Sequence, residues 1–264
     1  MRVLFLIPGA PQEQLRLLPI AARVARQLSA TLQVACPAAS ASVWALLPEV
    51  EKVLPFGFNS DVSLAEWTNL LGSIREPDFQ ACLNFAEGWN INLLLSLSHI
   101  PVRVARGGFA CTAPLGQAAE PQDFLKPLGL SMPEEPFRLC LPAPALQKAV
   151  AQLPTGNGPL LVLAPTGQPD DWPEQGWREL EQEVPQKLAT ARVWRLRAGS
   201  PLQQAAQVAS ADVLVSTAPS AQLLASYSGV SLVDPLALNG TAKDQPTTSD
   251  QPDTSKVLQA LGLS

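Results

Sequence analysis

LLVLAPTGQPDDWPEQGWRELEQE, residues 160–183, changes its period halfway along. The apolar run Leu160–Ala164 stops at Pro165 and suits a strand buried on both faces. Thr166, Gly167 and Gln168 turn the chain and two aspartates follow. From Pro173 a helical pattern takes over, with Glu174 in its first turn, where acids and proline are both favoured. Strand, polar loop, helix is the repeating unit of an open α/β sheet. Ligands in such sheets sit at the loop, where helix amides can hold a phosphate.

The same unit recurs on both sides. Toward the amino end, residues 1–7 read as a buried strand ending at Pro8-Gly9, followed by a polar loop over 10–16. A helix then opens at Pro19, with Ile20, Val24 and Leu28 at helical spacing. Further strands are expected over 31–35, 52–56, 81–85 and 102–105, and helices over 41–47, 64–74 and 90–97. Residues 107–135 are loop-rich, and 141–159 hold one short helix between proline and glycine clusters, a composition suited to a linker. The second series has strands over 160–164, 191–196, 213–216 and 231–234, helices over 177–184, 202–208 and 221–228, and a terminal helix over 256–263. Residues 239–255 are polar and rich in Thr, Asp and Pro. The expectation is an α/β protein of two Rossmann-like, doubly wound parallel-sheet domains. They span 1–145 and 159–264, with a linker at 146–158 and a polar tail from about 239.

Composition bounds the function. With 47% hydrophobic and 16% charged residues, the 264-residue chain can bury a sizeable core. A net charge of −5 and the absence of any Lys/Arg run exclude a nucleic-acid surface. The 26 prolines, about double ordinary usage, call for short elements and stiffened loops. Four cysteines stand singly, at 36, 82, 111 and 140, three of them in or beside apolar runs, so reduced and buried thiols are expected there. His99 is the only histidine, which leaves no set for a histidine-based metal site; no metal and no cofactor is expected. The amino-terminal apolar run is too short for a signal peptide, and no run reaches membrane-spanning length. These features imply a cytoplasmic protein, with peripheral membrane association left open.

Three stretches together resemble a family. WPEQGWREL (172–180), following the strand and its TGQ loop, is similar to the "WP-E-x-W-x-x-L" segment of family 9 glycosyltransferases, the ADP-heptose:lipopolysaccharide heptosyltransferases. VLFLIPGAPQEQLRLLP (3–19) is similar to their first strand, "G-D" loop and helix-opening proline. SPLQQAAQVASADVLVSTAPSAQLLASYSGVSLVDPL (200–236) resembles their "A-D-x-x-V-S-x-D-S-G-x-x-H" stretch and its surroundings. The resemblance implies a GT-B-like architecture, two Rossmann-like domains facing a cleft. It also implies metal-independent, inverting transfer from an ADP- or UDP-linked sugar to a glycan acceptor, with the acceptor on the amino-terminal side and the nucleotide on the carboxyl-terminal side.

Several positions depart from that pattern. The loop aspartate taken as general base in the family corresponds to Glu13, and the lysine two residues before the Trp-Pro pair to Asp170. The aspartate, glycine and histidine of "D-S-G-x-x-H" become Ala218, Ser220 and Leu223; Gln203 is the nearest counterpart of the nucleotide-loop glutamate. A strand–helix unit is expected to be missing between Leu196 and Leu202.

Glycosyl transfer needs a base for the acceptor hydroxyl and donors for the departing diphosphate. Glu13 is the candidate base, against the plainer reading of a solvated loop acid beside Gln12 and Gln14. The candidate nucleotide side comprises Thr166, Gly167, Gln168, Arg178, Ser216, Thr217 and Ser220, against a strand end with a helix cap. Asp170 and Asp171 would repel a diphosphate unless Arg178, Arg195 or Arg197 compensated. Trp89 could contact the acceptor, against core packing, and Trp172 or Trp177 a base or sugar, against simply covering the sheet edge. Arg103 and Arg106 could meet an anionic acceptor, against the plainer reading of a solvated strand end. Two functions follow: a sugar-nucleotide transferase, or a non-catalytic GT-B relative used for binding or scaffolding.

Overall fold

The structure is a computed structural model describing residues 1–59, 62–239 and 253–263. The chain divides into two compact units, Met1–Phe137 and Arg138–Ser264.

The first unit is built on a six-stranded parallel sheet in the order β3-β2-β1-β4-β5-β6. Its strands are β1 (Arg2–Leu6), β2 (Thr31–Cys36), β3 (Val50–Pro55), β4 (Ala81–Asn84), β5 (Val102–Ala105) and β6 (Ala113–Pro114). The helices are α1 (Pro11–Gln27), α2 (Leu64–Arg75) and α3 (Trp89–Leu97), with 3-10 helices at Ala38–Leu46 and Pro121–Leu128. β1 is central: Val3 aligns with Leu32 on one side and with Ala81 on the other. Side chains alternate across a strand, so its uniform apolar run serves two cores. On one face Leu4, Leu6 and Cys82 pack with Leu70, Ile74, Ile91 and Leu95 of α2 and α3. On the other, Phe5 stacks on Phe85 and Phe85 on Phe124, whose 3-10 helix lies in the stretch expected to be loop.

The largest correction concerns α1, which starts at Pro11, eight residues before the expected Pro19. What reads as a polar loop is its first two turns. Gln14 is fully buried: Nε2 donates to the carbonyls of Ile7 (3.1 Å) and Pro8 (3.0 Å), and Oε1 accepts from Trp44 Nε1 (3.0 Å). A satisfied amide thereby takes a core position that pattern counting assigns to apolar residues. Pro19 lies inside the helix.

The second unit has a four-stranded parallel sheet in the order β10-β9-β7-β8: β7 (Leu160–Ala164), β8 (Arg192–Arg195), β9 (Val213–Ser216) and β10 (Ser231–Val233). Its helices are α4 (Ala143–Val150), α5 (Glu174–Lys187), α6 (Pro201–Ala209), α7 (Pro219–Ser228), α8 (Pro235–Asn239) and α9 (Thr254–Ala260). The expected linker at 146–158 falls inside this unit. There Gln152 Oε1 accepts from Gln203 and Gln207 of α6, each at 3.1 Å. The chain passes from β8 to α6 through residues 196–200. Leu161, Leu163 and Val215 pack against Trp172, Trp177, Leu180 and Val184 beneath α5, closed by Val257 and Leu258 of α9.

Of the cysteines, Cys36 and Cys82 are buried, Cys111 is half-buried and Cys140 exposed, so two rather than three lie in the core. Most of the expected polar tail, 240–252, lies outside the described residues. Among the described residues no helix is long and apolar enough to cross a membrane.

Candidate functional site

Strand order sets one crevice in each unit. In the first, the chain leaves β1 toward β2 but leaves β4 toward β5, so the connections diverge beyond the carboxyl ends of β1 and β4. In the second, the divergence falls between β7 and β9.

At the first crevice the Pro8-Gly9 turn leads into α1. Glu13 is exposed at the third helical position, and its Oε2 accepts from the Ala10 amide at 2.9 Å. The expected loop acid is therefore a helix-capping acid. Gly9 makes room for it. With φ at +96°, a Cβ on Gly9 would stand 1.6 Å from Glu13 Oε2. Across the crevice, buried Asn84 fixes the turn after β4 by pairing both side-chain atoms with the backbone of Ala86 (3.0 and 3.1 Å). A polar cavity of about 200 Å³ follows, lined by Asn84, Glu87, Gly88, Asn92, Arg106 and Gln117. Arg106 donates through Nε to Ala119 O at 3.3 Å, with its guanidinium 5.8 Å from the Phe124 ring centre. Arg103 is turned inward, donating to Ala110 O and Ile100 O, so the two arginines do not act as a pair. Trp89, at the head of α3, is 66% exposed and borders a separate apolar groove of about 450 Å³ with Leu64, Trp67, Leu71 and Leu93.

At the second crevice Thr166, Gly167, Gln168 and Thr217 come together, tied through Asp171. Gly167, at φ +69°, donates its N–H to Asp171 Oδ2 at 2.8 Å. Asp171 Oδ1 accepts from the Trp172 amide at 2.7 Å and from the Thr217 hydroxyl. Thr217 Oγ1 in turn accepts from the Thr166 amide at 3.3 Å, and Thr166 Oγ1 accepts from the Gln168 amide at 3.1 Å. Ser216 is fully buried, donating to Ala164 O at 2.8 Å and accepting from the Ala218 amide at 3.0 Å. Its hydroxyl joins the ends of β7 and β9. Ser220 is half-buried in the first turn of α7, directly after Pro219, which has no N–H to offer.

The cations expected to offset Asp170 and Asp171 have other partners. Glu174 holds Arg195 in a two-pronged pair (2.8 and 2.6 Å) and Arg178 at 3.4 Å. The Arg195 hydrogen bond draws the Glu174 carboxyl below its ordinary pKa, and the same bond raises that of Arg195. Arg197 lies over the Trp194 ring at 4.7 Å. Trp172 and Trp177 are core, edge to face at 5.1 Å, and Trp177 Nε1 donates to Trp172 O at 3.1 Å. Among the described residues no cluster of three or more His, Cys, Asp or Glu could hold a metal ion.

Sequence reasoning missed Gln14, the Gly9–Glu13 fit and the internal role of Asp171. The Gly9–Glu13 fit has a local signal, an acid three residues after Ala10 with glycine just before it. The third has none, because Thr217 lies 46 residues from Asp171.

Two parallel-sheet Rossmann-like units in one chain make up the fold of GT-B glycosyltransferases. The chain aligns with E. coli ADP-heptose lipopolysaccharide heptosyltransferase II at a TM-score of 0.73 and 16% identity, covering 99% of this chain and 98% of that one. It aligns with E. coli heptosyltransferase WaaC, solved with ADP-2-deoxy-2-fluoro heptose, at 0.68 and 20% identity, covering 99% of both chains. The family 9 glycosyl transferase of Veillonella parvula aligns at 0.69 and 11% identity, covering 100% and 92%. No family model and no curated protein sequence matches the chain.

Proposed function

We propose that this chain is a glycosyltransferase-like protein that takes an ADP- or UDP-linked sugar, heptose-like, and transfers it to a glycan or lipopolysaccharide-type acceptor. The observation that carries this is the location of the named loops. Glu13 borders the crevice of the first sheet, and Thr166–Gln168 with Ser216–Ser220 border that of the second, in a fold shared along its whole length with heptosyltransferases.

In this reading the second unit holds the nucleotide and the first the acceptor. Glu13 is the general base. One carboxylate oxygen caps α1, while Oε1 has no hydrogen-bond partner among the described residues and is exposed to receive a proton. Donors for the departing diphosphate come from the amides that open α7 and from Ser220, since helix amino ends leave N–H groups without intrahelical partners. Arg178, on the solvent face of α5, can turn from Glu174 toward the diphosphate at little cost, because exposed ion pairs contribute only about 0–1 kcal/mol.

A second reading, a non-catalytic binding or scaffolding protein, is favoured by one observation. Asp170 is exposed where the resemblance expects a lysine, and the nearby arginines pair with Glu174. Calorimetric titration with ADP- and UDP-sugars, together with a turnover assay, separates the two. The transferase binds a nucleotide sugar. Its Glu13→Gln variant binds equally well but turns over about a hundredfold or more slowly, and Arg178→Ala weakens binding. Failure of every nucleotide sugar to bind overturns the proposal. Binding without turnover, unaltered by Glu13→Gln, selects the scaffold.

A further inference from the structure

The second crevice already contains an anion, and the chain supplies it. Three donors converge on the Asp171 carboxylate: the Gly167 amide (2.8 Å), the Trp172 amide (2.7 Å) and the Thr217 hydroxyl. They come from both sides of the divergence, two from the β7–α5 loop and one from the residue after β9. A phosphate group would use donors of this kind, and backbone amides gathered around a carboxylate oxygen make an anion-binding concavity. On the β9 side the two positions nearest the strand end are spent, which leaves the amides of Ser220 and Ala221. The Ala218 amide donates to Ser216 Oγ, and Pro219 lacks an N–H. Asp170, exposed beside Asp171, adds a second negative charge.

We propose that the Asp171 carboxylate fills the phosphate subsite of the second unit, so that a diphosphate binds there only when this side chain leaves it. Like charges cannot share one set of donors at contact distance. Asp171 is therefore a specificity-determining residue, selecting against diphosphates in the resting chain. The inference rests on the nucleotide role proposed for this unit, and its test separates the two.

Inorganic pyrophosphate is titrated calorimetrically into the full chain at low ionic strength, using native protein, Asp171→Ala, Asp171→Asn and Asp170→Asn. Asp171→Ala is expected to bind pyrophosphate at least tenfold more tightly than native, with the isosteric, uncharged Asp171→Asn between them. Adding Thr217→Val to Asp171→Ala removes the gain. Equal or weaker binding by both Asp171 variants overturns the proposal. So does an equal gain in Asp170→Asn, which carries the same charge change without the donors. Where Asp171→Ala does not fold, Asp171→Asn decides. A gain in pyrophosphate affinity without nucleotide-sugar turnover supports this proposal and not the transferase. Turnover by native protein with unchanged pyrophosphate affinity in the variants overturns this proposal and leaves the transferase standing.

Discussion

In each unit a strand, a loop and a helix border the crevice, and an acid beside each loop folds back onto it. Glu13 takes one amide of its own loop and stays exposed. Asp171 takes two amides and reaches past its loop to the hydroxyl of Thr217, tying the end of β7 to the residue after β9. The first arrangement is a helix cap and leaves its crevice open, with Arg106, Asn92 and Gln117 around a cavity of about 200 Å³. The second is a bridge and closes its crevice from within. Two acids in matching places thus do opposite things, according to whether their partners are local or lie across the sheet.

The supports beneath the loops differ as well. The β7–α5 loop rests on apolar bulk, the Trp172–Trp177 pair. The β1–α1 loop rests on a polar contact, Gln14 bridging the carbonyls of Ile7 and Pro8 to Trp44. Trp177→Ala is expected to have the largest effect, about 3–5 kcal/mol in chemical denaturation, with hydrogen-exchange protection lost first in β7 and β9. Gln14→Leu takes the partner from buried Trp44 Nε1 and from the Ile7 carbonyl, an expected cost of about 1–3 kcal/mol. Protection should then fall in β1 and α1 while β7 keeps its own. If Gln14→Leu matched Trp177→Ala, or reached β7, the distinction between a polar and an apolar support would fail.

The smallest effect is electrostatic and belongs to the second unit. The Glu174 carboxyl is held below its ordinary pKa by Arg195 in the folded chain. A depressed acid contributes stability above its unfolded pKa and loses it as pH falls through the lower folded value. Glu174 is half-exposed, with 50% side-chain accessibility, so the expected loss is only about 0.5–1 kcal/mol. It should appear below about pH 4 and shrink with added salt. Glu174→Gln should flatten the acid limb of the denaturation curve; an unchanged limb would mean that the pair adds nothing.

These comparisons show what local sequence encodes. Leu160–Ala164 lies where its uniform apolar run predicts, because a strand buried on both faces has no period to misread. The start of α1 was hidden by Gln14, a polar residue in a core position, and by Pro19, which reads as a first-turn proline although Pro11 holds that place. The candidate nucleotide residues were legible as a group, since strand-end loops collect at the divergence of the sheet. Their hydrogen-bond partners were not. Nothing near Thr217 in the chain announces Asp171, and nothing near Arg195 announces Glu174.

Gly9 and Glu13 are not independent positions. The space a side chain would fill at Gly9 is occupied by the carboxylate of Glu13, which would overlap a Cβ at only 1.6 Å. Glutamate can be exchanged at position 13 without touching the glycine. A side chain at position 9 would push that carboxylate off the Ala10 amide, and only a residue that accepts a positive φ could stand there. The dependence runs one way: the cap that Glu13 makes on α1 needs Gly9, while Gly9 does not need Glu13.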